Sequence, residues 1–260
     1  IYIASFINSI SPGVIKTTDG GHTWNHTCWS FDIQNGEYNA DIRRIAMHPT
    51  QPSTIYMASK HALRKSTNGA ASYSTVLIDN DTESFFTDLD ISKADPDLVY
   101  TSGRKIYRYH PNTLLTNLTS HVINAIPDIS GSTKPINNIL VALDDTDDQE
   151  LNLCVLVGYS NTNSRTYFLR SSNQGSSFYS MGFLEEFSTN YSTHLVKDHS
   201  FEKSKIDPNK FYAGSIQAYM IVDSLGTWSI NNNYSDWSSA NSVNFMHADI
   251  RRIVVRKIDN

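Results

Sequence analysis

Two aspartates stand at the head of identical hexapeptides. Asp41 lies in Ala-Asp-Ile-Arg-Arg-Ile at residues 40–45, and Asp249 lies in the same run at residues 248–253, 208 positions later. A pair of carboxylates is what cleavage of a glycosidic bond requires. One is kept protonated by its surroundings to serve the leaving oxygen; the other is ionised, about 5 to 10 Å away depending on mechanism. Each aspartate is also followed by an arginine two residues on, Arg43 and Arg251. On an extended strand these point to the same face, so the plainer reading is an ion pair inside each strand. Recurrence of the same residues at two places favours repeat structure over a unique site.

The stretches that lead into these strands carry further chemistry. "CWSFDIQNGEYNAD", "DNDTESFFTD", "LEEFSTNYSTH" and "NNNYSDWSSANSVNFMHAD" are rich in aromatic and acidic residues. Trp29, Tyr38, Phe86, Tyr191, Tyr234 and Trp237 offer flat apolar faces of the kind that sugar rings stack on. Glu83 and Asp236 join Asp41 and Asp249 as groups able to bind hydroxyls, and His247, Arg43 and Arg251 are placed to hydrogen-bond a ligand.

What positions these groups is a repeat. Several segments follow one grammar: an alternating strand, a Pro/Asp turn, a second strand ending in Tyr and small residues, a hairpin, then a Gly/Asn turn before an aromatic residue. "PSTIYMAS" at residues 52–59 matches "PDLVYTSG" at residues 96–103. Related units contain "LCVLVGYSNTNSRTYFLRSSNQGSSF" and "SKIDPNKFYAGSIQAYMIVDSLGTW". Four periods of about 52 residues account for the spacing of the hexapeptides, the size of a four-stranded propeller blade with generous loops. The expectation is an all-β propeller, about five blades over residues 1–260, as one domain or most of one. The first unit lacks an inner strand and the last supplies one. Either the two complete each other in a velcro-closed five-bladed ring, or the chain belongs to a larger, seven-bladed ring within a longer protein; the second is preferred.

"KTTDGGHTWN" at residues 16–25 resembles an Asp-box, the Ser/Thr-x-Asp-x-Gly-x-Thr-Trp (BNR) hairpin of sialidases, sortilin-type receptors, xyloglucan-cleaving glycosidases and photosystem assembly propellers. In this copy Asp19, Gly21 and Trp24 occupy the motif positions. Asn173, Gly175 and Phe178 occupy them in "RSSNQGSSF", with weaker copies in "RKSTNGAASY" and "VDSLGTW". The carboxylate is expected to accept backbone N–H groups across the turn, the glycines to permit positive φ, and the Trp to pack between sheets. The resemblance implies an Asp-box propeller similar to secreted sortilin- and xyloglucanase-like proteins, in which these hairpins are structural. Sialidase chemistry would need an arginine triad, for which Arg43, Arg104 and Arg251 are present, but the family's Arg-Ile-Pro start is absent.

Metals and other partners are less favoured. Asp144, Asp145, Asp147 and Asp148 in "LDDTDDQE" are hard oxygen donors suited to Ca²⁺, yet the spacing and glycine of a helix-flanked calcium loop are missing. His22, His26 and Cys28 have zinc-ligand chemistry, but His22 stands at a variable position of the hairpin. No cofactor is expected. The two cysteines make no disulfide framework, and Cys154 in "LCVLVG" reads as a buried small hydrophobe. A net charge of -5 offers no footprint for nucleic acid, and no apolar run has the length of a membrane span. The expected function is a secreted or cell-surface module binding a glycan or a protein, attached to other domains. The alternatives are a xyloglucanase-like hydrolase using Asp41 and Asp249, or a structural segment of a large surface adhesin.

Overall fold

The computed structural model describes residues 1–5, 13–27, 42–81, 85–126, 136–157, 165–184, 200–214, 218–224 and 227–233. They form two compact units, residues 1–117 and 118–260. In the first unit, β1 (Tyr2–Ser5), β2 (Gly13–Lys16) and β3 (Asn25–His26) make a three-stranded sheet. β4 (Ile42–Met47), β5 (Ile55–Ser59), β6 (Ala62–Ser66) and β7 (Ser74–Ile78) make a four-stranded one. A second four-stranded sheet follows from β8 (Phe86–Ile91), β9 (Val99–Gly103), β10 (Ile106–His110) and β11 (Leu114–Asn117). The second unit opens with a short helix, α1 (Thr119–Ala125). It then builds one sheet from β12 (Ile136–Leu143), β13 (Leu151–Val157), β14 (Arg165–Ser171) and β15 (Tyr179–Leu184). A last sheet comes from β16 (Ser200–Lys203), β17 (Lys210–Gly214), β18 (Ala218–Ser224) and β19 (Thr227–Asn233).

Every sheet is an antiparallel meander in chain order, the construction of a propeller blade, so the expected all-β class with five blade-like sheets is present. The first sheet has one strand fewer, as the sequence indicates. Its β1, Tyr-Ile-Ala-Ser, corresponds to Tyr56–Ser59 of β5, the second strand of the next sheet. The hexapeptide at residues 248–253, on which ring closure turns, lies outside the described residues.

Cores form between consecutive sheets within each unit. Tyr56, Leu63 and Leu77 of one sheet pack with Phe86, Leu89, Val99 and Tyr107 of the next. In the second unit Cys154, Phe168 and Met181 meet Phe201, Phe211 and Ile221. All seven residues of β13 are buried, because both faces of that strand are covered. Cys154 is thus the buried apolar residue expected of it.

Three turns share one geometry. Thr17, Ser66 and Ser171 each place a hydroxyl on the side chain two residues on, Asp19, Asn68 and Asn173, at 2.7, 3.0 and 2.8 Å. The same hydroxyl oxygen accepts the amide of Gly21, Ala70 or Gly175, and the Asp or Asn oxygen accepts the amide of Thr23, Ser72 or Ser177, each at 2.8–2.9 Å. Two successive residues in each turn have positive φ, which explains Gly20 and Gly21 in the first copy. Trp24 departs from expectation. It is 38% exposed and its Nε1 donates to the Gly21 carbonyl at 3.1 Å, so it folds over its own turn rather than between sheets.

Two of these turns are pinned from outside. Lys16 Nζ of β2 donates to the Gly69 carbonyl at 3.3 Å, and His121 Nδ1 of α1 donates to the Gly175 carbonyl at 2.9 Å. A Cβ on Gly175 would come within 2.6 Å of Leu118, so this glycine is required by close approach as well as by φ. The helix, which the repeat did not foretell, serves as the platform for this turn.

Candidate functional site

The first strands of three sheets carry the same irregularity. Pairing slips between Ile42 and Arg44 in β4, between Phe86 and Asp88 in β8, and between Ile136 and Asn138 in β12. The skipped residues, Arg43, Thr87 and Asn137, sit one position after each strand begins. A bulge bends its strand and re-aims a side chain, and bulges are common beside binding sites. The backbone is therefore repeated where the side chain changes from Arg to Thr to Asn.

In the first unit, the loops at this end are fastened together. The Phe86 amide donates to the Lys60 carbonyl at 3.1 Å and the Asp79 amide to the His61 carbonyl at 2.8 Å, so Asp79 and Phe86 are both fastened to the β5–β6 turn. The β9–β10 turn closes on the same segment. A Cβ on Gly103 would lie 1.7 Å from the Phe85 carbonyl oxygen, an approach open to glycine alone. The next residue, Arg104, holds its guanidinium 5.3 Å from the Phe85 ring centre. Lys105 Nζ bridges Asp79 and Asp81 at 3.0 and 3.2 Å, and the Tyr107 hydroxyl donates to Asp79 at 3.1 Å.

The electrostatics follow from that packing. Burial, aided by the Asp79 carboxylate, pushes the Tyr107 hydroxyl up to about 12. Burial alone would lower Lys105, but hydrogen bonds to Asp79 and Asp81 outweigh it and hold the ammonium above its usual range. Lys105 thus neutralises part of the charge of both acids. Among the described residues, the buried Nδ1 of His61 has no hydrogen-bond partner.

The acidic hairpin between β12 and β13 meets Arg170 of its own sheet and two lysines from the neighbouring one. Lys203, 3% exposed, contacts both Asp144 and Glu150; Arg170 contacts Glu150 and Asp223 at 3.0 Å, and Lys205 contacts Asp145 at 3.0 Å. Burial would raise Asp144, but Lys203 and the hydroxyl and amide of Thr146 hold it well below the usual carboxylate range. The Asp147 carboxylate accepts the Gln149 amide at 2.8 Å, and Asp148 accepts the Gln174 side-chain amide at 2.7 Å. Beside this network is a cleft of about 140 Å³, lined by Thr146, Ser204, Ile206 and Pro208 among others. Among the described residues, no group of three or more His, Cys, Asp or Glu is gathered as ligands for a metal. His22 and His26 are exposed.

Of the residues singled out from the sequence for ligand binding, Arg43 is described and lies at the loop end. Trp29, Tyr38, Asp41, Glu83, Tyr191, Tyr234, Asp236, Trp237, His247, Asp249 and Arg251 lie outside the described residues. Phe86 is a correction: it is fully buried, edge-on to Tyr107 with ring centres 5.8 Å apart, and belongs to the core rather than to a sugar platform. Its neighbour Phe85 is the half-buried aromatic at this end. The sequence reading overlooked Lys105 and Tyr107, whose only signal was their place just after a Gly-Arg turn.

No protein-family model matches the chain, and no curated protein matches it. Among solved structures it is similar to YCF48 bound to D1 peptide, at 13% identity and TM-score 0.48, over 85% of this chain and 61% of that one. It is similar to YCF48 from Cyanidioschyzon merolae at 12% identity and TM-score 0.46, over 85% and 64% of the two chains. With an ancestral GH74 enzyme it shares 15% identity and a TM-score of 0.44, over 88% and 38%. The chain thus spans less than two thirds of each of these structures. Among the described residues, no helix is long and apolar enough to cross a membrane.

Proposed function

We propose that the chain is a secreted or cell-surface β-propeller module of the Asp-box type, which binds a glycan or a protein partner and does not turn it over. In this reading the three related turns are Asp-boxes that brace the sheets, and recognition belongs to the opposite, loop end. The observation that carries the proposal is the repeated bulge at the start of β4, β8 and β12, which keeps one backbone shape and varies the side chain among Arg43, Thr87 and Asn137. Constant scaffold with variable loop-side chemistry is the arrangement of a recognition surface.

The test is retention of the full chain on a panel of immobilised glycans and peptides, run beside hydrolysis assays on xyloglucan, β-glucans and sialosides. The expected result is retention without turnover. Turnover lost in Asp41→Asn or Asp249→Asn, with the fold intact, would replace this reading with a glycoside hydrolase. Neither retention nor turnover would leave the chain a structural segment.

A further inference from the structure

We propose that Asn68 is a site of spontaneous deamidation, where the side-chain amide is replaced by a carboxyl while the turn around it stands. Asn68 and Asn173 hold the same place in two turns that share one set of bonds. Each side-chain oxygen accepts the hydroxyl of a serine two residues before, Ser66 or Ser171, at 3.0 and 2.8 Å. It also accepts the amide of a serine four residues after, Ser72 or Ser177, at 2.9 Å in both. Both asparagines are exposed. The backbone N–H that follows is held alike as well: Gly69 donates to the Ser53 carbonyl at 2.8 Å, and Gln174 to the Gln149 carbonyl at 2.9 Å. What differs is the residue that owns that N–H, a glycine after Asn68 and a glutamine after Asn173.

That residue supplies the nucleophile. Once solvent base takes the Gly69 amide proton, the nitrogen attacks Cγ of Asn68, a C–N bond closes a cyclic imide, and the side-chain nitrogen leaves as ammonia with a proton returned by solvent. Water then opens the imide at one of its two carbonyls, giving aspartate or isoaspartate. Gly69 has no Cβ to crowd the approach, whereas Gln174 carries a side chain that donates to Asp148 at 2.7 Å. The bond to Ser53 must first open, but Pro52 and Ser53 are exposed, so local opening frees the nitrogen without unfolding the sheet. The first turn shows that the aspartate product fits: Asp19 stands at this position and makes the same hydroxyl and amide contacts, at 2.7 and 2.9 Å. Isoaspartate instead adds a carbon to the backbone before Gly69, and so displaces the carbonyl that Lys16 holds.

The experiment incubates the folded full chain in mildly alkaline buffer made with heavy-oxygen water, digests it, and reads the peptides that contain Asn68 and Asn173 by mass spectrometry. Heavy oxygen marks only carboxyls formed during the incubation. The expected result is label entering at Asn68 at least about tenfold faster than at Asn173. Gln174→Gly supplies the reciprocal case, since residue 174 already has a φ of 56° that glycine adopts freely, and it should bring Asn173 to about the rate of Asn68. Asn68→Asp, the product made directly, should keep the melting temperature of the parent chain. Label entering Asn68 no faster than Asn173, or entering Asn68 only when the chain is unfolded in urea, overturns the proposal. An Asn173 that stays inert in Gln174→Gly overturns the role given to the following residue, and a lowered melting temperature in Asn68→Asp overturns survival of the turn.

Discussion

Arg44 of β4 and Asp88 of β8 occupy equivalent positions on the first strands of adjacent sheets, and their side chains meet with Nε 3.2 Å from Oδ1. Both are largely shielded, with 18% and 11% of the side chains exposed, and Asp88 also accepts the Leu89 amide at 3.0 Å. One repeat position thus carries opposite charges in neighbouring copies, and the pair ties two sheets whose backbones share no hydrogen bond in the strand ladders.

Removing one partner strands the other in a partly desolvated place. Arg44→Leu is expected to lower stability by about 2 kcal/mol, and Asp88→Asn by somewhat less because the amide oxygen keeps the Leu89 contact. Urea unfolding of the two single variants and the double variant measures the coupling. Strict additivity would mean the pair contributes nothing beyond its separate parts.

The Lys203 network predicts acid sensitivity in the second unit. Asp144 and Glu150 both titrate below their ordinary values once Lys203 and their hydrogen bonds overcome burial. A depressed carboxylate contributes stability that is complete above its unfolded value and is lost as pH falls through the folded one. The unfolding midpoint should therefore be level above about pH 5 and fall steadily below about pH 4. Lys203→Met should cost about 3 kcal/mol at neutral pH and flatten that acid limb, by leaving Asp144 and Glu150 without their shared cation. An unchanged acid limb in the variant would show that the network does not carry the pH dependence.

The same contrast between near and distant partners marks what the sequence made legible. Strand order and the three turns were readable because their signals are local: Tyr followed by small residues in β5, and hydroxyl, Asp or Asn, and glycine at fixed offsets in the turns. The Lys203 clasp was not, since Lys203 lies 53 residues from Glu150 and meets it only once two sheets are packed. Phe86 was misplaced because the bulge at Thr87 breaks strict alternation in β8, burying Phe86, Asp88 and Leu89. Helix α1 carries no acidic residue in its first turn, no basic residue in its last and no side-chain cap, so it left no boundary signal. The aromatic and acidic residues first considered for a site fall mostly outside the described segments, so the loop end came into view through backbone bonds and Gly103 instead.

Gly103 separates steric from conformational need. A methyl group there would overlap the Phe85 carbonyl, so Gly103→Ala must push the segment leading into β8 away from the β9–β10 turn. Loss of about 3 kcal/mol or more is expected, together with weakened burial of Phe86. Gly20→Ala meets no atom within 4 Å but must hold a φ of 72°, and should cost only about 1 kcal/mol. Thermal unfolding of the two variants gives the comparison; a milder effect at Gly103 than at Gly20 would contradict the close packing of the loop end.

The three turns predict an exchange rule for their central residue. Asp19, Asn68 and Asn173 do the same backbone work, but the outer contact is reversed. Asp19 accepts the Thr23 hydroxyl, whereas Asn68 and Asn173 donate to Ser72 and Ser177. A hydroxyl both donates and accepts, so it adapts to either partner. Asp19→Asn should therefore be nearly neutral at pH 7, and Asn173→Asp likewise, while Asn173→Ala should cost about 1 kcal/mol by orphaning the Ser177 amide. Acid behaviour separates the forms. Hydrogen bonds from the Thr23 side chain and amide and from Thr17 hold the Asp19 carboxyl well below its ordinary range, so its contribution is present at neutral pH and is lost as pH falls below the usual carboxylate range. Asp19→Asn should remove that loss and leave a turn insensitive to acid, readable as a smaller drop in melting temperature between pH 7 and pH 2 than in the parent chain. An equal drop in both would assign the acid response entirely to other groups, the Lys203 carboxylates first among them.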